Sequence, residues 1–240
     1  MLFDHTKCKK CNHVNPAYKN ICSQCKSYLR ERVVNLDLWK TVQLIIEDPL
    51  NAFKQIIFSE HKNFILFITF FISVKNLILA RFFSVPELGI NGATTSFVMS
   101  LFLILIISSS LLILYAYSLK IFFKTYNSQN IELRLKDIYA INVYSFIPYL
   151  FGLIFIFPVE LIVLGSDIFS NNPYSYQIKP LITYILIGFE LITILWSFFL
   201  MQKSILQITS NSYNSIRIPF IFFIIWHSVI YLSSKIIFTV

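Results

Sequence analysis

The four cysteines of the chain, Cys8, Cys11, Cys22 and Cys25, form two Cys-x-x-Cys pairs within eighteen positions near the N-terminus. Each pair can turn so that its two thiolates face one ion, and four thiolates complete the tetrahedral coordination of zinc. Ten residues separate the pairs, fewer than the roughly 15 to 20 of the commonest spacing, but enough for a minimal zinc ribbon. Because four cysteine ligands leave no open coordination position, we expect one structural Zn²⁺ per chain.

Other interpretations of these cysteines stay open. A redox dithiol needs a neighbouring strand and helix that lower a thiol pKa, and nothing in the flanking sequence indicates them. Surface thiols without a metal are a second possibility. His5 and His13 lie close enough in sequence to replace a cysteine as a ligand. Disulfides are disfavoured if the segment faces the reducing cytoplasm.

The composition beyond the cysteines is that of a membrane protein. Of the 240 residues 56% are hydrophobic, 25 are Phe, and only 13% are charged, against about 25% in soluble domains. The apolar residues fall into blocks close to the ~20 residues that a helix needs to cross a bilayer. We therefore predict an all-α polytopic membrane protein with five transmembrane helices, at about 64–83, 97–119, 141–165, 181–201 and 219–240.

The distribution of basic residues predicts the orientation of these helices. The segments 1–63, 120–137 and 202–218 hold ten, four and two Lys or Arg, which gives 16, whereas 84–96 and 166–180 together hold only Lys179. Cytoplasmic loops carry the excess of basic residues, so we predict a cytoplasmic N-terminus and an external C-terminus. The predicted domains are a cytoplasmic zinc ribbon at 1–32, amphipathic juxtamembrane helices at 33–63 and the helical membrane domain at 64–240.

Two short amphipathic helices are predicted between the ribbon and the membrane. In the first, apolar residues recur at helical spacing, which is typical of a helix lying in the membrane interface, with Trp39 as an anchor at headgroup level. In the second, Asp48 is an N-cap and Pro49 a first-turn proline. Packing of both helices on the cytoplasmic face of the bundle is the alternative. Their apolar residues are Leu38, Trp39, Val42, Ile45 and Ile46, then Leu50, Phe53, Ile56 and Ile57.

Charged residues inside the predicted spans must pair, because an unpaired charge there costs at least ~2.5 to 3.5 kcal/mol on insertion scales. Lys75 and Glu190 each lie eleven residues from the cytoplasmic end of their span, about 16 Å deep, and are predicted to form an intramembrane pair. By the same count Arg81, Glu160 and Lys235 form an outer charge layer. Such residues serve either to satisfy one another or to pass ions, and the sequence leaves both open.

Several short motifs resemble the Yip-one (Ypt-interacting protein) domain family of five-helix membrane proteins. The resemblance covers about residues 37–240, and the cysteine segment is similar to zinc-ribbon modules that head many bacterial proteins, with Asn12 and Lys26 where glycine is usual. The matching residues are Asp48, Pro49, Phe53 and Ile56, "YSFIP" at Tyr144 to Pro148, Trp196 and Ser197, and Asn15 and Pro16 at the Asn-Pro turn of the ribbon. The resemblance implies a non-enzymatic membrane protein of prokaryotic type in the cytoplasmic membrane.

The sequence lacks several motifs of membrane enzymes, which agrees with the expected non-enzymatic function. The chain has no His-Glu-x-x-His pair, no glycine-rich phosphate loop and no Asp within a predicted span. The function predicted from the sequence is an integral membrane adaptor or organiser whose ribbon presents a cytoplasmic surface; the alternative is a small transporter or channel. Expected partners are the lipid bilayer, anionic headgroups near the basic ribbon and a cytoplasmic protein, with no nucleic acid expected.

Overall fold

The structure, a computed structural model, describes residues 5–16, 19, 21–29, 33–82, 97–126, 133–165, 168, 175–209 and 211–237. It consists of a small N-terminal β-ribbon followed by helices. The ribbon is an antiparallel pair of three-residue strands, β1 (His5–Lys7) and β2 (Val14–Pro16), in which Thr6 lies opposite Asn15. Asn15 and Pro16 therefore belong to a strand and not to the Asn-Pro turn that the resemblance implied.

The helices follow in three groups. The juxtamembrane helices are α1 (Leu38–Glu47) and α2 (Pro49–Phe58). The next are α3 (Ile65–Phe82), α4 (Phe97–Tyr126), α5 (Leu135–Ser145) and α6 (Ile147–Phe151), then a π-helical turn at Gly152–Ile156 and α7 (Phe157–Leu164). The last are α8 (Ser175–Ile178), α9 (Pro180–Thr209) and α10 (Ser212–Ile237).

Within the described residues, four helical segments are long and apolar enough to cross a membrane: Val98–Lys124, Ile147–Leu164, Pro180–Thr209 and Ser212–Ser233. The first span predicted from the sequence corresponds to α3, whose apolar segment Ile65–Ala80 is shorter than these four. The protein is therefore an integral membrane protein with four long apolar helices, and the first of the five predicted spans, 64–83, is not among them.

Several predicted boundaries are wrong, each for a local reason. Helix α4 continues to Tyr126, seven residues beyond the predicted end, because its polar last turns remain helical outside the apolar block. Helix α10 begins at Ser212, so Pro219 lies inside the helix and not at its start. Phe146 interrupts the third predicted span with φ −90° and ψ 13°. Pro148 follows it and has no N–H to continue the helical ladder.

The juxtamembrane helices pack on the bundle. Asp48 accepts a hydrogen bond from the Asn51 N–H at the start of α2, and Pro49 occupies its first turn, as predicted. Phe53, Ile56 and Ile57 of α2 are buried against α5 and α9. In α1, by contrast, only Thr41 and Ile45 are buried. The alternative of packing on the bundle therefore describes α2, whereas α1 keeps an exposed apolar face.

A buried lysine joins the end of α2 to the start of α5. Lys62 Nζ lies 3.1 Å from Asp137 Oδ1 and donates to the Ile57 and Ser59 carbonyls at 2.9 Å. Arg134 holds the same carboxylate from the other side, with two hydrogen bonds of 2.9 Å. The loop before α3 is thereby fixed to α5, because the Asp137 carboxylate accepts from both cations.

This junction predicts a pH dependence of stability. Burial lowers the pKa of Lys62 from its ordinary 10.5 to about 8, although Asp137 acts in the opposite direction. The folded protein binds this proton more weakly than the unfolded chain, so stability is flat below pH 8 and rises between pH 8 and 10.5, by at most about 1.4 kcal/mol per pH unit.

We expect Lys62→Met to remove this contribution. The measurement is the free energy of unfolding in lipid nanodiscs between pH 7.5 and 10.5, with the exposed Lys40→Met as the matched control that keeps the wild-type slope. Equal pH slopes for the two variants would contradict the assignment.

Candidate metal centre and intramembrane charge cluster

The four cysteines meet at one point of the ribbon. Their Sγ atoms all lie within 4.8 Å of one another, with Cys8 and Cys25 3.5 Å apart and Cys11 and Cys22 also 3.5 Å apart. Sulfur atoms about 2.3 Å from a tetrahedral ion lie about 3.8 Å from one another. The cluster therefore has the size and the soft ligands that suit a zinc ion.

The two Cys-x-x-Cys turns repeat one set of backbone hydrogen bonds. The Cys8 N–H donates to the His13 carbonyl and the Cys22 N–H to the Ser27 carbonyl, both at 2.9 Å. The second bond of each turn runs from Asn12 to Cys8 and from Lys26 to Cys22. The turns are thus equivalent halves that present two sulfurs each to the centre.

The residue after each second cysteine has a left-handed backbone. Asn12 has φ 54° and Lys26 has φ 55°. Glycine adopts this region at no steric cost, Asn tolerates it, and Lys is strained in it. The ribbon therefore keeps the turn geometry that glycine would supply, and Lys26 carries the larger strain.

The surroundings of the sulfurs favour the thiolate form of Cys8 and Cys22. At Cys11, although a backbone hydrogen bond at His13 acts in the opposite direction, burial and the neighbouring cysteines raise the pKa to about 12. The Ser27 hydroxyl lies 3.2 Å from Cys8 Sγ and lowers the pKa of Cys8 to about 5, with help from the backbone N–H groups of Cys11 and Lys10. Hydrogen bonds from backbone N–H groups also lower the pKa of Cys22. Because a thiolate and not a thiol binds metal, these donors prepare the cluster for an ion.

Asn15 is a further residue of this centre whose part the sequence analysis missed. Its side chain is fully buried, and its Nδ2 donates to Cys22 Sγ at 3.4 Å and to the His13 carbonyl at 2.9 Å. Its Oδ1 accepts from the Ser23 N–H and hydroxyl, both at 2.9 Å. Asn15 thus ties the first turn to the second and orients one ligand.

We expect Asn15→Ala to lower zinc affinity by about 10- to 100-fold, the usual effect of losing a partner that orients a ligand. A chelator competition on the purified protein measures this affinity. Gln24→Ala is the matched control, because Gln24 is exposed and its contribution to Cys22 comes from the backbone. Equal affinities of the two variants would refute a role for Asn15.

The structure brings Lys75 of α3 and Glu190 of α9 together. Lys75 Nζ donates to Glu190 Oε1, and both side chains are fully buried. The stem of Lys75 passes over Gly152, where a Cβ would lie 3.1 Å from Lys75 Cε and 3.3 Å from Nζ. Gly152 therefore provides the space through which the lysine reaches its partner.

Glu160, which the sequence analysis places in an outer charge layer with Arg81 and Lys235, lies within electrostatic reach of Lys75 and Glu190. Its carboxylate is fully buried and interacts with the charges of Glu190 and Lys75. The span that carries it starts at Ile147 and not at 141, so Glu160 lies thirteen residues, about 20 Å, along the helix. The side chains of Arg81 and Lys235 lie outside those that the structure describes.

Replacing Gly152 tests the close approach of Lys75. Gly152→Ala puts a methyl group 3.1 Å from a side chain that its ion pair holds in place, so we expect destabilisation by about 1 to 3 kcal/mol. Gly188→Ala in α9 is the control, because its Cβ meets nothing within 4 Å and alanine favours a helix by about 1 kcal/mol. The free energy of unfolding in nanodiscs distinguishes the two variants. Equal stabilities of Gly152→Ala and Gly188→Ala would contradict the close approach of Lys75 to Gly152.

Trp39, the predicted interface anchor, lies on the exposed side of α1 with 78% of its surface accessible. An apolar cavity of about 150 Å³ lies beside it, lined by α1, α3 and α6 and by part of the π turn. Amphipathic aromatic rings favour the headgroup region of a bilayer. The exposed ring therefore suits contact with lipid.

No family model, curated protein or solved structure matches the chain in the three comparisons with known proteins.

Proposed function

We propose that the protein is a non-enzymatic membrane adaptor or organiser of the Yip-one type, in which a zinc-stabilised ribbon presents an interaction surface at the cytoplasmic face. Four cysteine ligands close the coordination sphere, so zinc bound there would stabilise the ribbon and leave no position for a substrate. The predicted partners are a cytoplasmic protein and, through the basic ribbon, anionic headgroups of the bilayer.

The observation that carries this proposal is an exposed apolar pair on the ribbon. Ile21 and Tyr28 face each other across an antiparallel bridge and are 46% and 51% exposed. Side chains of such a pair lie on one face. The exposed Lys19 and Lys26 lie close to them in sequence. An apolar centre with a basic border is typical of a protein interaction surface with an acidic partner.

A variant that alters this surface without touching the metal centre tests the proposal. We expect a protein that carries a photoreactive residue at the exposed position Lys19 and is otherwise wild type to be crosslinked to a partner in native membranes, and Ile21→Asp in the same background to lose at least tenfold of that product. Zinc content should stay at one per chain in Ile21→Asp and fall in Cys22→Ser. Gln24→Asp adds the same charge at another exposed position and is the control.

Retention of the crosslinked product in Ile21→Asp would contradict the proposed interaction surface. Full zinc content in Cys22→Ser would contradict the assignment of the cysteines as zinc ligands. The two parts of the proposal are thus tested by separate measurements on the same preparations.

The proposal includes five crossings, with α3 as the first. Its 18 residues extend about 27 Å, close to the ~30 Å of the hydrocarbon core. The distribution of basic residues then supports a cytoplasmic N-terminus and an external C-terminus.

We expect engineered cysteines at Asn91 and Asn171 to react with an impermeant reagent from outside intact cells. Ser212→Cys, at the exposed start of α10, should react only after permeabilisation. Protection of Asn91→Cys in intact cells would show that α3 does not cross, because residue 91 would then share the side of the N-terminus.

A small transporter is the second candidate, and the buried group of Lys75, Glu190 and Glu160 favours it. Ionisable residues inside a membrane often mark ion pathways. Ion flux through proteoliposomes that is lost in Glu190→Gln would favour the transporter over the adaptor.

A further inference from the structure

The buried cluster of Lys75, Glu190 and Glu160 has one negative charge too many. Two carboxylates and one ammonium group, all with no exposed surface, sum to −1 when every group is ionised. The ammonium group of Lys75 contacts Glu190. An excess charge inside a membrane is unfavourable, because no water solvates it there. The site therefore requires one more positive charge.

The π turn brings Glu160 to this site. In a regular α-helix the eight residues from Gly152 to Glu160 turn roughly 80° beyond two full turns, which would direct Glu160 away from Gly152. The Phe157 N–H instead donates to the Gly152 carbonyl five residues back, so the turn takes up one extra residue. Eight residues then span about the rotation of seven, and Glu160 shares the face on which Gly152 meets Lys75.

The carboxyl oxygens themselves indicate what is missing. Among the described residues, neither oxygen of Glu160 has a hydrogen-bond partner, and Glu190 Oε2 has none either. A metal ion would need several oxygens arranged around it. Among the side chains that the structure describes, the one cation in this cluster is the ammonium group that already occupies Glu190 Oε1. A proton needs one carboxyl oxygen and no cavity. Two neighbouring carboxylates accommodate each other by sharing a proton.

We propose that Glu160 and Glu190 share one exchangeable proton beside Lys75, which makes the membrane interior of this protein a proton-binding site. The proton is taken from water, adds to one carboxylate oxygen and forms an O–H bond, and no electron is transferred. The site then contains one ammonium group, one carboxylate and one carboxylic acid, and is neutral. This inference goes beyond the adaptor function and is independent of the zinc ribbon.

Titratable groups from the neighbouring helices complete the surroundings. Lys75 comes from α3, Glu190 from α9, and Tyr149 of α6 lies close enough to interact with the Glu190 charge. Tyr149 Oη is 3.0 Å from His227 Nε2 in α10, and His227 Nδ1 donates to the Phe223 carbonyl at 2.8 Å. A neutral His227 ring therefore accepts from Tyr149. These hydrogen bonds join Tyr149 to a half-buried histidine.

Infrared spectroscopy of the full-length protein in nanodiscs at neutral pH tests the proposal, because a protonated carboxyl group has a carbonyl stretch that a carboxylate lacks. We expect one such band in the wild type, shifted on transfer to D₂O. Glu160→Gln and Glu190→Gln should each abolish it, since the remaining carboxylate then pairs with Lys75 and stays ionised. Lys75→Met should roughly double it, since neither carboxyl group then has a cation.

Glu47→Gln is the matched control, because Glu47 is exposed on α1 and lies outside the cluster, so its replacement should leave the band unchanged. A wild-type protein without the band would overturn the proposal. A band that persists in each of the single variants Glu160→Gln and Glu190→Gln would also overturn it. A band that does not shift in D₂O would overturn the exchangeable proton. Glu160→Gln removes the unpaired carboxylate, so this variant should fold at least as well as the wild type and keep the test decisive.

Discussion

The arrangement of α3 and α9 depends on a buried ion pair in a region of the membrane where no water is available to solvate the charges. Lys75 of α3 and Glu190 of α9 are 115 positions apart in the chain and both fully buried. Breaking a buried ion pair by removing one partner usually costs about 3 to 5 kcal/mol. The contact therefore fixes how α3 and α9 face each other. It also explains why Gly152 stands beside the lysine stem, where any side chain would obstruct it.

Periodicity and composition predict the elements whose signal is local. Long apolar blocks identify α4, α9 and α10, and Asp48 with Pro49 identifies the start of α2 because an N-cap and a first-turn proline act within one turn. The spacing of the four cysteines predicts their cluster, because each Cys-x-x-Cys pair lies within one short turn. Lys75 and Glu190 lie at the same predicted depth in their helices. They are predicted to pair, because an unpaired charge inside a bilayer is unfavourable.

Features that depend on an irregular backbone or on tertiary contacts escape such reasoning. A depth count assumes regular helices, and the interruption at Phe146 together with the π turn invalidates it for Glu160. Asn15 looks like part of a turn motif, but its importance comes from contacts with Cys22 and Ser23, seven and eight residues further on. Lys62 looks like one more basic residue near the membrane until Asp137, 75 positions away, is placed beside it.

A continuous set of contacts among the described residues runs from Val33, the first described residue after the ribbon, to the charge cluster. The segment that leaves the ribbon pairs with the loop after α2, where the Glu60 N–H donates to the Val33 carbonyl and the His61 N–H to the Val34 carbonyl, both at 3.0 Å. The same loop holds Lys62 against Asp137 of α5, and α5 leads through α6 to the π turn. A continuous set of contacts fixes the positions of these segments relative to one another. Energetic coupling between two sites also requires a structural element that can adopt two conformations. Protonation of the carboxyl cluster would supply such an element only if it changed the pairing of Lys75, because that lysine is the contact through which α3 holds α9. A link between the membrane interior and the segment that begins at Val33 is therefore decided at Lys75.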